Sequence, residues 1–280
     1  MLRGYFKKVV VADSLAPVVD AHFLDPSLHD GVSLLIAVYF YAFQIYCDFS
    51  GYTGIALGCA RLLGYDLGVN FDRPYFSKTF SEFWTRWHIS LSSWLRDYLY
   101  IPLGGNRGGA VKTCRNLALT MLLGGLWHGA NWTFVAWGGL HGAYLVVERL
   151  VERPIGRLAA ALRLPPAVRS FLAVVLVFHL TAFAWIFFRA PTFGTAWAVI
   201  AGIATRTTLS LAQVQSKFLI AKGAVLCVVL MAAESLSFRP AFGERFGASP
   251  ALRYATAAGI VWSLALFGAF SGSNFIYFQF

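Results

Sequence analysis

The chain has 280 residues, of which 58% are hydrophobic and 13% charged, about half the charged fraction of a typical soluble domain. Several apolar runs approach the ~20 residues that cross a bilayer, so the composition excludes an ordinary soluble domain and predicts a polytopic all-α membrane protein. The net charge of +10 does not indicate a nucleic-acid partner, because the basic residues stand between apolar runs, where headgroup and cytoplasmic anchors lie.

The N-terminal third combines charged residues with the first long apolar run. Lys7 and Lys8 lie between aromatic and β-branched residues, which predicts a short basic amphipathic element at the membrane surface. The aspartates and prolines of 13–30 predict a polar connection, and 32–47 is the first predicted span. Asp48, which follows this span directly, cannot face lipid. It therefore either lines a polar tunnel or makes a structural hydrogen bond to a neighbouring helix, and the second interpretation is favoured.

An amphipathic helix is predicted over 79–102. Thr79 followed by Glu82 has the pattern of a capping box, and Glu82 with Arg86 has the spacing of an ion pair within one helix. His88 borders the aromatic face, and an interfacial histidine bonded to Ser92 or Asp97 is the alternative to a functional one. The density of Trp and Arg indicates an interfacial or re-entrant helix.

The central stretch, 117–149, places a histidine inside strongly apolar sequence. The apolar run is predicted to break at Gly124-Gly125, to present Trp127 and His128, to turn at Asn131 and to resume as a helix. An ionisable residue at membrane depth is costly, so His128 is a functional-site hypothesis, with a hydrogen-bonded packing histidine as the alternative.

The C-terminal half alternates apolar spans with basic connections, which brings the predicted total to roughly six membrane crossings. Five arginines in 149–169 predict a cytoplasmic loop. His179, which stands in an apolar run, is interpreted as a packing residue. The remaining predictions are a span over 171–188, a mixed surface segment over 193–215, a span over 218–233, a basic loop over 239–253 and a span over 254–270.

Three stretches carry a resemblance to a known family: FWTRWHISLSSWLRDYLYIPLGGNRGG, GGLWHGANWTFVAWGGLHGAYLVVER and the terminal FIYFQF. They are similar to the membrane-bound O-acyltransferase family, in the bacterial branch that includes the membrane subunit of alginate O-acetylation. The resemblance spans Lys7 to Phe280. It implies a single membrane-embedded domain over 1–280, with interfacial or re-entrant helices around a tunnel, in a bacterial cytoplasmic membrane.

The resemblance also implies roles for particular residues. The family's invariant catalytic histidine corresponds to His128 and its second, commonly polar position to His88. Acyl transfer from a thioester to an alcohol requires a base for the hydroxyl proton, and burial keeps an imidazole neutral and able to act as that base. Trp127, Asn131 and Arg86 are predicted to contact substrate. We expect no bound cofactor and no metal, with acetyl-CoA as the acyl donor.

Several alternatives stay open. The same residues could serve an acyl or alanyl exporter, or a haem or metal protein that uses His88 with His128. The expected acceptor is a cell-surface or exported polysaccharide, reached directly or through an extracytoplasmic acetyltransferase-like or esterase-like partner. The family places several spans before the segment that holds Lys7, so we expect this chain to be the C-terminal portion of a longer enzyme and inactive alone.

Overall fold

A computed structural model describes residues 1–206 and 217–270, without the side chains of 153, 155 and 158–160. The regular elements of these residues are helical throughout, which confirms the all-α prediction. The end of the predicted surface segment 193–215 and the aromatic tail 275–280 lie outside the described residues. The α-helices are α1 (Leu2–Tyr5), α2 (Asp13–Leu24), α3 (Gly31–Leu62), α4 (Phe80–Arg86), α5 (Ile89–Leu95), α6 (Ala110–Trp127), α7 (Trp132–Ala161), α8 (Pro166–Arg189), α9 (Phe193–Thr205), α10 (Lys217–Leu236), α11 (Pro240–Ala248) and α12 (Pro250–Phe267).

Four helices within the described ranges are long and apolar enough to cross a membrane, namely α3, α8, α10 and α12. Roughly six crossings were expected from the ~20-residue rule. The helices α6 and α7 do not reach that apolarity, because α6 carries Lys112 and Arg115 and α7 carries polar residues such as His141 and Glu148. The predicted basic loop 239–253 is also helical, since α11 and the start of α12 occupy it.

The chain forms two compact units, and the first consists of the described parts of Met1–Val69 and Ala198–Phe280. In this unit α3 is one unbroken helix of 32 residues that passes through Asp48. The predicted polar connection 13–30 is instead mostly helix α2, preceded by a π-helical segment, Phe6–Ala12. The chain continues as helix because Asp13 and its neighbours pack on α3 instead of facing water.

The prediction that Lys8 lies at the membrane surface is wrong. Its side chain is buried, and its ammonium nitrogen lies 2.7 Å from an Oδ1 atom of Asp13 and 2.7 Å from Oδ1 of Asp48. Asp48 thus makes the structural hydrogen bond predicted for it. A neighbouring network joins Lys7 to the buried carboxylate of Glu234 on α10, at 2.9 Å. Charges of opposite sign inside the unit replace the water that each would otherwise require.

The second unit, Asn70–Trp197, contains α4 to α8. Helix α6 does not break at Gly124-Gly125 but continues to Trp127, and α7 continues past the predicted boundary to Ala161. The arginine-rich stretch 149–169 is therefore mostly helix, with a short connection at 162–165. Glycines let α6 and α7 approach closely: the Cα atoms of Gly125 and Gly138 face each other, and a Cβ built on either would lie 3.1 Å from the other Cα.

Candidate functional site

His128 lies where helix α6 ends. Its backbone N–H donates to the Gly125 carbonyl oxygen at 3.1 Å, and its side chain is buried with 7% exposure. Aromatic rings surround the imidazole, with centroid distances of 5.0 Å to Trp127, 5.1 Å to Trp137 and 5.1 Å to Phe188. Each of these contacts is edge-to-face, an arrangement that fixes ring orientation. The end of α6, the start of α7 and α8 thus hold the imidazole from three directions.

His88 occupies a break in the predicted amphipathic helix. The pattern predicted one continuous helix, but α4 ends at Arg86 and α5 begins at Ile89, and His88 between them has a left-handed backbone with φ 43°. Non-glycine residues rarely adopt this conformation, and it is concentrated at functional sites. The helix start shows half of the predicted capping box: the Thr79 hydroxyl accepts from the backbone N–H of Glu82 at 3.0 Å, whereas the Glu82 carboxylate accepts from the backbone N–H of Lys78 at 2.6 Å and not from that of Thr79.

The polar partners of His88 differ from the two suggested by the sequence. Its Nδ1 lies 3.4 Å from Asn70 Oδ1 and 3.3 Å from the Ser90 hydroxyl. The hydroxyl of Ser92 instead donates to the Trp87 carbonyl oxygen, 2.9 Å away. Asn70 Oδ1 also accepts from the backbone N–H of Ser90 at 3.0 Å, which fixes the orientation of the Asn70 amide. Burial lowers the pKa of His88 to about 4, so its imidazole is neutral at pH 7.

The indole of Trp127 lies next to both histidines. Its ring centroid is 6.4 Å from that of His88 and 5.0 Å from that of His128. The structure therefore brings together three of the residues that the sequence selected. Trp127 is 59% exposed, so this ring is also the part of the group that faces outward from the unit.

The other two predicted contact residues have structural partners. The Asn131 side chain donates to the Pro191 carbonyl oxygen at 2.9 Å and accepts from the backbone N–H of Thr133 at 3.0 Å, so it ties the start of α7 to the end of α8. The Arg86 guanidinium forms the predicted ion pair with Glu82 at 2.7 Å. Substrate contact by Asn131 or Arg86 stays a prediction.

His141 is the residue of this region that the sequence did not assign. It is fully buried, with 0% exposure, one helical turn after Trp137 on α7. The ring centroids of Trp137 and His141 lie 5.1 Å apart, the same separation as between Trp137 and His128. The i,i+4 spacing of Trp137 and His141 is a signal that the sequence contains, but an apolar helix face gives the same spacing.

His179, by contrast, is exposed on α8, and its Nδ1 lies 2.7 Å from the Val175 carbonyl oxygen of its own helix. The interpretation of His179 as a packing residue is wrong within the described residues, because its side chain lies on the outward face of α8. Within the described residues, no group of three or more His, Cys, Asp or Glu side chains is placed to hold a metal ion.

The sequence profile of the membrane-bound O-acyltransferase family matches residues 4–160, more than half of the chain. The chain belongs to this family, and it is a multi-pass membrane protein. Over 204 residues it is 48% identical to the probable alginate O-acetylase AlgI of Azotobacter vinelandii, a match that covers 72% of this chain and 38% of that protein.

Two further relatives have different names. The peptidoglycan O-acetyltransferase of Helicobacter pylori is 39% identical over 214 residues, which cover 76% of this chain and 40% of that protein. The teichoic acid D-alanyltransferase of Streptococcus thermophilus is 35% identical over 159 residues, which cover 53% of this chain and 38% of that protein. The matches thus span about two fifths of the length of these relatives.

Proposed function

We propose that this chain carries the catalytic histidine of an O-acyltransferase, which transfers an acetyl group to hydroxyls of a cell-surface or exported polysaccharide. The observation that supports this most is the placement of His128: a buried imidazole at a helix end, enclosed by aromatic rings, with Trp127 in ring contact with both His128 and His88. Family membership supplies the reaction class, and the names of the relatives supply the class of acceptor.

His128 acts as the general base in this proposal. It removes the proton of the acceptor hydroxyl while the oxygen attacks the thioester carbon of the donor. The new C–O bond forms, the C–S bond breaks, and the proton on His128 passes to the departing thiolate, so that the imidazole returns to its neutral form. Direct transfer needs no covalent enzyme intermediate. Acetyl-CoA is the donor that this scheme assumes.

The hydrogen-bond geometry favours one role for His88. Both oxygen atoms near its Nδ1 act as acceptors toward it, because the Ser90 hydroxyl donates to Asn70 Oδ1 at 2.9 Å. The Nδ1 atom of the neutral ring therefore carries the hydrogen, and Nε2 offers a lone pair. Such a ring orients a hydroxyl or relays its proton, whereas polarisation of a carbonyl would need a hydrogen on Nε2. We therefore assign His88 to the acceptor hydroxyl.

The remaining parts of the proposal concern location and partners. The relatives are bacterial, so we place the chain in the cytoplasmic membrane. The acceptor polymer lies outside that membrane, whereas acetyl-CoA is cytoplasmic. An extracytoplasmic acetyltransferase-like or esterase-like protein would complete the route from donor to polymer.

The test is replacement of His128 by Gln in the chromosomal gene, followed by measurement of O-acetyl groups on the surface polymer and of protein abundance in the membrane. We expect acetylation to fall at least about a hundredfold with unchanged abundance, which is the lower end of the range for loss of a general base. His179→Gln is the matched control, because that histidine is exposed and outside the site.

Normal acetylation by an abundant His128→Gln protein would refute the role of His128. A protein without transfer chemistry, such as an exporter, would give a different result: movement of an acyl group across the membrane without new ester bonds in a reconstituted system.

A further inference from the structure

A group of buried polar atoms around His141 has no hydrogen-bond partner among the described residues. Both ring nitrogens of His141 belong to it, although the ring is fully buried. Its other members are indole nitrogens and a hydroxyl: Nε1 of Trp84, Nε1 of Trp137, Nε1 of Trp185 and the hydroxyl of Tyr144. Buried polar atoms are nearly always hydrogen-bonded, and a cluster of exceptions in one place requires an explanation.

These atoms belong to rings that are in contact with one another. From the His141 ring, the centroid distances are 5.1 Å to Trp84, 5.1 Å to Trp137, 5.7 Å to Tyr144 and 6.4 Å to Trp185. Two hydrogen bonds through one bridging oxygen atom span about 6 Å. These centroid separations place all four rings around the imidazole, so the polar groups converge on one region at the His141 ring.

The balance of donors and acceptors identifies the kind of molecule. An indole nitrogen can only donate, so the three tryptophans offer three donors and no acceptor. A neutral imidazole adds one donor and one acceptor, and a tyrosine hydroxyl adds one donor and its oxygen. The ring groups therefore cannot satisfy one another, because donors exceed acceptors. A molecule that satisfies these groups must be small and must supply acceptor lone pairs. It must also donate a hydrogen bond to the unprotonated ring nitrogen of His141. Water meets all three conditions.

We propose that His141 is the centre of a buried water-binding site next to His128, and that this site fixes the indole of Trp137 against which His128 packs. The same indole contacts His128 at 5.1 Å with an interplanar angle of 88° and His141 at 5.1 Å with an angle of 65°. A hydrogen bond from Trp137 Nε1 to the water holds the indole in one orientation. His141 is thus a positioning residue, and this half of the inference rests on the proposed function.

The hydration of the site is tested without any activity measurement. His141→Phe keeps a planar ring and removes both nitrogens, and Tyr144→Phe removes only the hydroxyl. If the site holds water, both changes break hydrogen bonds and lower the melting temperature of the purified protein, by about 2–6 °C each. If the site is dry, both changes remove unsatisfied polar atoms, and the melting temperature is unchanged or higher.

The control for the ring exchange is His179→Phe, on the exposed surface of α8. It should leave the melting temperature unchanged. His141→Gln, which keeps a donor and an acceptor, should recover part of the loss seen with Phe. Unchanged or raised melting temperatures for both His141→Phe and Tyr144→Phe would overturn the water site.

The positioning role is tested by kinetics of the full-length protein. His141→Phe should lower kcat about tenfold to a hundredfold, because a small displacement near the base is enough, while KM stays within about twofold. His141→Gln should restore much of kcat. Trp137→Phe, which keeps the aromatic wall but removes its N–H, should have a similar effect, and the double variant should be no worse than either single one.

Full activity of His141→Phe, or additive losses in the double variant, would overturn the positioning role. These outcomes differ from failure of the proposed function, in which the unmodified protein itself transfers no acyl group. The melting temperatures would in that case still decide whether the site binds water.

Discussion

The close approach of α6 and α7 at Gly138 leads to a prediction whose size follows from the geometry. A Cβ built on Gly138 would lie 3.1 Å from the Gly125 Cα and well inside 3 Å of the Met121 carbonyl oxygen, where Cβ atoms are essentially never found. Because the obstructing atoms belong to the backbone of α6, no side-chain rotation relieves the overlap. For Gly138→Ala, α6 and α7 must separate by about 1 Å.

Two opposing terms set the stability of Gly138→Ala. Overpacking costs about 1–3 kcal/mol, whereas alanine in a helix gains about 1 kcal/mol over glycine. We expect a net loss of about 1–2 kcal/mol, which lowers the melting temperature by about 2–6 °C. The same displacement moves His128 relative to Trp137, so we expect acyl transfer to fall by about a hundredfold.

The matched control is the next residue. A Cβ built on Gly139 would lie 3.4 Å from the Leu122 side chain, an ordinary contact, so Gly139→Ala should be neutral or stabilising by up to about 1 kcal/mol. Both variants are compared by tryptophan fluorescence during heating and by polymer acetylation. Equal melting temperatures and equal acetylation for Gly138→Ala and Gly139→Ala would refute the reasoning. In that case the close contact of α6 and α7 does not position His128.

Three further predictions concern other parts of the chain. Asp48→Asn should destabilise the protein by about 3–5 kcal/mol in thermal unfolding, because the buried ammonium group of Lys8 loses one of its neutralising carboxylates. The control, Asp66→Asn, changes an exposed ion pair and should cost less than about 0.5 kcal/mol. Similar losses of stability in the two variants would contradict the prediction. Burial lowers the pKa of His88 to about 4, so the unfolded chain binds its proton more tightly, and stability present above pH 6.5 is lost as the pH falls toward 4. Between pH 7 and pH 5 the free energy of unfolding should fall by about 2 kcal/mol because of His88. This loss should be absent from His88→Asn, since asparagine tolerates the same left-handed backbone. An equal dependence of stability on pH in both proteins would refute the lowered pKa of His88. Finally, Leu162 lies in the exposed connection between α7 and α8, which is predicted to be cytoplasmic. In a background without other exposed cysteines, Leu162→Cys should react with a membrane-impermeant reagent only after cells are permeabilised. Labelling in intact cells would show that this connection lies outside the cytoplasm.

The sequence predicted those features that depend on near neighbours. Apolar runs located the long helices, the Thr79 hydroxyl caps α4 as its spacing indicated, and the Glu82 to Arg86 ion pair forms one helical turn apart. His88, Trp127 and His128 were selected from local patterns and lie together in the structure. Whether they catalyse the reaction is a question for the variants above.

Features that depend on distant partners could not be predicted. Lys8 is buried because Asp48, 40 residues later, compensates its charge, and a sequence pattern does not record that pairing. Asn131 is tied to Pro191, which is 60 residues away. The break at His88 has the same origin: the strained backbone is held by Asn70, whereas the helical pattern continues through this position. For His141, local sequence gives the helix face but not the three indoles around the ring.

The pairing of Lys8 with Asp48 has a consequence for how the protein enters the membrane. A lysine or an aspartate at the centre of an inserting helix costs about 2.5–3.5 kcal/mol on the scale measured for the translocation machinery. In this chain the lysine is synthesised first and the aspartate follows within α3, so an ion pair can form as soon as α3 emerges into the lipid. We therefore expect the segment that holds Lys8 to act as an insertion partner for α3, and Lys8→Ala should lower the fraction of newly made chains that integrate, even where the integrated ones are fully folded.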